Sequence, residues 1–183
     1  MSTVPAGILL LGGLAGCLAT ASPPEGEGAA PTHAVAVLHP VGESEVRGVA
    51  RFVATEDGVR VTVRADGLMP GQQHGMHIHE FGDCTAEDAT SAGDHFDPDD
   101  RPHGPPDAPE PQRHVGDLGN LQADEEGRGR YDRVDEVLAL EGAHDIVGRS
   151  VIVHEGRDDL ETQPTGDAGA RLACGVIGVA EGE

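Results

Sequence analysis

The sequence predicts an all-β domain, a β-sandwich or flattened barrel. With no Trp, one Tyr and three Phe, the core falls to Val, Ile, Leu and Ala, while 27 Gly and 13 Pro call for many turns. That composition favours short strands over long helices. Short runs with apolar residues at alternate positions recur along the chain, separated by Gly-, Asp- and Pro-rich connections. Such spacing belongs to sandwiches and barrels.

Taken in order, the strands read as HAVAVLHP over 33–40, VRGVARFVAT over 46–55 and VRVTVRADG over 59–67. In the third, Val59, Val61 and Val63 alternate with Arg60, Thr62 and Arg64, and Glu56-Asp57-Gly58 supplies the turn before it. A hairpin with one buried face follows. Further strands are expected at His74 to Glu80, Arg128 to Arg133, Arg149 to His154 and Ala173 to Val179. Between about Gly82 and Gly116 there are six Pro, three His and many carboxylates, with neither a helical nor a strand period. A long unpatterned loop in a compact domain is usually functional.

Ahead of the strands, Ile8 to Ala15 is a short, mainly apolar run, too short to span a bilayer and the right size for the core of a signal peptide. Leu14-Ala15-Gly16-Cys17 resembles the bacterial lipobox, although no Lys or Arg precedes it. The expectation is a signal peptide over 1–16, lipid on Cys17, a flexible linker over 17–31 rich in small residues, Pro and Gly, and one domain over 32–183. Lipidation would tie the chain to a membrane in the bacterial cell envelope, on the periplasmic or surface side. Of the three Cys, this leaves Cys84 and Cys174, which an exported compartment permits to pair.

The net charge of -21, from 33 acidic and 12 basic residues, excludes nucleic acid as a natural partner. Ten His with so few Cys point to metal held by imidazole and carboxylate. His77 and His79 lie two apart in an expected strand and so project from one face. Alone, that pair is a weak signal.

Its context is stronger. GMHIHEFGDC is followed in order by AGDHFDPDDRPHGPP, RHVGDLGN, IVGRSVIVHEGRDDL and TGDAGARLACGVIGVA. These blocks resemble the copper/zinc superoxide dismutase family over essentially all of Thr32 to Ala180. The resemblance implies a Greek-key barrel with a long metal-binding loop and a short active-site loop. It also implies copper on His77, His79, His95 and His154, and zinc on His95, His103, His114 and Asp117, with His95 shared. Tetragonal nitrogen ligation suits Cu(II), and a closed His-His-His-Asp set suits zinc.

By the same resemblance, Asp158 joins His77 to His103, His74 is a supporting structural residue, and Arg171 is the anion anchor of the active site. Cys84 and Cys174 match the family's intrasubunit disulfide. His33, His39 and His144 match no ligand position. The implied activity is conversion of superoxide to dioxygen and hydrogen peroxide, with copper carrying the electron and His95 a proton. Between Leu160 and Thr165 stand only Glu161-Thr162-Gln163-Pro164, leaving Arg171 the one cation placed at the copper channel. A homodimer is among the assemblies the sequence allows. The rival reading is a noncatalytic copper/zinc-binding envelope lipoprotein, which would need neither Arg171 nor a shared His95.

Overall fold

The computed structural model describes residues 30–182 together with Met1. The apolar run Ile8 to Ala15 and the proposed lipid site at Cys17 lie outside the described residues. Eight strands form: β1 (His33–Pro40), β2 (Arg47–Thr55), β3 (Gly58–Asp66), β4 (Gln73–His79), β5 (Asp117–Ala123), β6 (Gly129–Asp135), β7 (Ser150–His154) and β8 (Arg171–Val179). They close into one antiparallel barrel in the order β1-β2-β3-β6-β5-β4-β7-β8. The two order breaks, 3-6-5-4 and 6-5-4-7, are Greek-key crossovers. Among the described residues no helix is long and apolar enough to cross a membrane.

Alternation builds the barrel wall. On β3, Val59, Val61, Val63 and Ala65 are buried while Arg60 and Arg64 are exposed, and Thr55 pairs with Gly58 to close the β2–β3 hairpin. Inside, Leu38, Phe52, Val61, Met76, Ile78, Leu118, Leu121, Ile146, Val151 and Ile177 share one apolar core. Burial of that surface is the main force holding the fold, at about 25 cal/mol per Å² removed from water.

One strand departs from the expectation. β5, Asp117–Ala123, has no Val or Ile alternation and includes Gly119 and Asn120, both poor strand formers. Pairing imposes its conformation, with His74 opposite Leu121 and Gly75 opposite Asn120 on β4. It meets β6 through only two residue pairs, and the opening is bridged where the Tyr131 hydroxyl donates to the Leu118 carbonyl at 2.9 Å. The long loop also contains two short 3-10 turns, Thr90–Ala92 and Glu110–Gln112. β8 begins two residues earlier than expected, which puts Arg171 on a strand.

Two irregularities aim the ligand-bearing strands. The β4–β5 register shifts between Gly75 and His77, and the β7–β8 register shifts between Val153 and His154. A bulge of this kind bends a strand and redirects the next side chain.

Candidate metal centre

Along β4, Met76 and Ile78 enter the core, so the alternating His77 and His79 face the other way, under the long loop. That loop is tied down in two places. Its first half packs Ala89 and Ala92 against Ile152 and Cys174, beside the Cys84–Cys174 disulfide, whose Cα atoms are 5.9 Å apart. Its second half ends at Arg113, fully buried and paired with Asp135 at 2.6 Å. Arg113 Nη1 also donates to the carbonyls of His114, Val115 and Asp117. A buried guanidinium with that many acceptors fixes the backbone carrying His114 and Asp117.

The loop brings His95 onto His77, with ring centroids 3.8 Å apart and stacked. Each ring has one nitrogen committed. His77 Nε2 donates to Asp158 Oδ2 at 2.7 Å, His79 Nδ1 to the Gly93 carbonyl at 2.9 Å and His154 Nδ1 to the Gly169 carbonyl at 3.1 Å. Those bonds leave His77 Nδ1 and the Nε2 atoms of His79, His95 and His154 buried without a partner. One ring nitrogen from each of these four residues lies within 4.8 Å of the others.

Burial lowers the pKa of His77 to about 3 and of His154 to about 4, and it depresses His79 and His95 as well. All four rings are therefore neutral at neutral pH and present lone pairs. Buried polar atoms without partners are rare in native structures and ask for an explanation. A bound cation supplies one, and the donor set of four nitrogens fits copper.

On the far side of His95, three Nδ1 atoms converge on one carboxylate oxygen. Asp117 Oδ1 stands 3.0 Å from His95, 3.0 Å from His103 and 3.2 Å from His114. Its Oδ2 is occupied by the amides of Gly104 and His114, each at 3.0 Å. Burial would push Asp117 up, yet hydrogen bonds to the three rings outweigh it and hold the carboxylate far below its ordinary range. For His103 burial pulls down, but Asp117 and Asp158 prevail and raise it to about 9. Three imidazole nitrogens, each 3.0 to 3.2 Å from one carboxylate oxygen, are the donor set that suits zinc. His77 also lies close to this group, but its Nε2 is engaged with Asp158.

Asp158 lies between the two clusters, with Oδ2 on His77 and Oδ1 2.9 Å from His103 Nε2. Such outer partners fix ring orientation and tautomer. His74 Nδ1 hydrogen-bonds the His154 carbonyl at 2.9 Å and belongs to neither cluster. Beside the four-nitrogen cluster, His79, Asp94, His95, His154, Thr165 and Arg171 line a pocket of about 210 Å³. Arg171 Nη1 donates to the Ala89 carbonyl at 2.6 Å and Nη2 to the Gly93 carbonyl at 2.7 Å.

A family model described as copper/zinc superoxide dismutase matches residues 46–177. The chain belongs to the copper/zinc superoxide dismutase family. It is 46% identical over 155 residues to the Cu-Zn superoxide dismutase of Schizosaccharomyces pombe, covering 80% of this chain and 97% of that one. The Cu-Zn superoxide dismutase A of Xenopus laevis is 47% identical over 152 residues, covering 79% and 96%. A crystal structure of a protein described as the clock protein EA4 superposes with a TM-score of 0.74 at 42% identity, covering 82% of this chain and 96% of the other.

Sequence reasoning missed several supports of the dismutase site. Arg113 precedes His114 within the motif RHVGD, a position that could have marked it. Asn120 exchanges two bonds with the Asp158 backbone, each 2.9 Å. Gln163, within the short loop, clamps His103 by its amide and carbonyl, both at 2.8 Å. Of the remaining histidines, His144 contacts Asp99 at 2.9 Å. Together with Glu110 these two form a third cluster, but Arg101 bonds both carboxylates there.

Proposed function

We infer that this chain dismutates superoxide, converting two superoxide ions and two protons to dioxygen and hydrogen peroxide. The observation that carries the inference is the convergence of four unpartnered, buried imidazole nitrogens beside a small pocket that His79, His95 and His154 share with Arg171. His77 through Nδ1, with His79, His95 and His154 through Nε2, would hold copper. His95, His103 and His114 through Nδ1, with Asp117 through Oδ1, would hold zinc. Bound there, copper supplies the electron transfer by alternating between two oxidation states.

The chain's own residues do the rest. Arg171 offers a permanently charged guanidinium, fixed by two carbonyls, to draw and orient a small anion. His95 lines the pocket, and its unpartnered Nε2 can carry a proton to the product, while Asp158 keeps the rings of His77 and His103 in one tautomer. Metal content and superoxide removal measured on one purified sample test this reading. Full copper and zinc loading without superoxide removal would leave only metal buffering.

The same proposal extends to location and assembly. Export and lipid on Cys17 are supported by the run Ile8 to Ala15, the tetrad Leu14-Ala15-Gly16-Cys17, and the pairing of the other two Cys with each other. The mature protein should begin at Cys17, carry lipid mass and partition with membranes; an intact mass without lipid removes the anchor. Pairing with a second copy is supported by exposed Val37 (50%), Phe81 (57%) and Val176 (45%). Phe81 adjoins Gly82, whose Cβ would stand 2.9 Å from Val176, so at least part of this apolar surface is continuous. Light scattering should give twice the monomer mass, falling to the monomer in Phe81→Glu.

A further inference from the structure

Arg171 shares the rim of the copper-side pocket with a carboxylate, Asp94. The two are held together by the backbone: Arg171 Nη2 is bonded to the carbonyl of Gly93, the residue just before Asp94. Asp94 is exposed, and among the described residues its side chain makes no hydrogen bond and no ion pair. It therefore does not neutralise Arg171 by contact. Its charge is nonetheless felt there: burial lowers the Arg171 pKa, and Asp94, then Asp88, push it back up. The adjoining loop, Glu161 to Pro164, adds another carboxylate and no cation.

We propose that Asp94 is a specificity-determining residue of this pocket, weakening anion capture by Arg171 in proportion to the charge of the anion. The inference rests on the reading of the pocket as the route of superoxide. Coulomb repulsion scales with the product of charges, so an anion of two charges meets twice the opposing energy of an anion of one. Superoxide carries one charge; hydrogen phosphate carries two. Asp94 slows the substrate a little and keeps multiply charged anions away from the metal far more.

The test uses the full chain loaded with copper and zinc, as wild type and as Asp94→Asn, a change of nearly equal shape that breaks no side-chain bond. Azide binding is followed by the visible absorption of copper, and hydrogen phosphate by its displacement of azide, at low ionic strength. Asp94→Asn should tighten azide about threefold and hydrogen phosphate about tenfold, the second being the square of the first. Both gains should shrink in high salt, and Asp94→Glu should restore wild-type values. Equal gains for the two anions, or none, overturn the proposal. Failure of the wild type to bind azide at all overturns the anion-pocket reading and this inference with it.

Discussion

Gly166 packs against the carboxylate of Asp158 so closely that a Cβ there would run into Oδ1 and stand 2.6 Å from Nε2 of His103. Its φ of +66° is also one that side chains of L-residues rarely adopt. The bridge from Asp158 to His103 therefore depends on a missing methyl group in the short loop. Gly166→Ala should push Asp158 off His103, and Asp158→Asn should weaken the same link without moving the backbone. Each should lower zinc affinity by about 10- to 100-fold, read by competition with a chelator. Unchanged affinity in both variants would show that Asp158 does not support the zinc side.

Arg171→Ala should lower the rate of superoxide removal severalfold or more with both metals still bound, because it takes away the anion anchor and no ligand. Arg171→Lys keeps the charge but cannot reach both the Ala89 and Gly93 carbonyls with a planar fork. An intermediate rate is expected for it. Full activity of Arg171→Ala at full copper loading would take Arg171 out of the reaction.

The Cys84–Cys174 bridge links residues 90 apart. By loop-closure entropy it is worth on the order of 4 to 5 kcal/mol. Reduction, or Cys84→Ser, should lower the melting temperature and speed copper loss, since Ala89 and Ala92 rest on the same patch as Cys174. Calorimetry together with a copper-release assay checks both, and no change in either would mean that the loop is held by packing alone.

Stripped of metal, the protein should be most stable near neutral pH. His77 and His154 titrate at about 3 and about 4 in the fold, against about 6.5 in the unfolded chain. Across that interval the unfolded chain binds more protons, so stability falls as pH drops from about 6.5. His103, raised to about 9, acts in the opposite sense. Its contribution is complete below about 6.5 and is lost as pH rises through its folded value. Urea unfolding of the stripped protein from about pH 4 to 9 should trace a dome; a monotonic rise on acidification would contradict the buried, neutral state of His77.

What could be read in the sequence was whatever has a local pattern. β3 announces itself because every second residue is Val or Ala and the others are polar. His77 and His79 are legible as a pair because a strand repeats every two residues, whereas His95, His103, His114 and His154 are marked only by the resemblance of the ordered motif blocks to the family. β5 was not legible, because its shape comes from β4 and not from its own residues. Gln163 and Asn120 escaped for a related reason: each bonds backbone atoms 60 and 38 residues away, and no spacing rule connects them. Asp94 looked like one more acid in an acidic chain until the fold set it beside Arg171.

The ladder between β1 and β8 has a consequence for solubility. A sheet with an open edge offers a row of unpaired amides, and a run such as HAVAVL at that edge would template addition of further strands. Closure gives β1 a paired neighbour on both sides, β2 and β8, so HAVAVL offers no bare edge to another molecule. Resistance to edge-wise aggregation then rests on β8, the last strand made. A chain cut short before Arg171 would leave β1 and β7 as two bare edges, open to the addition of further strands.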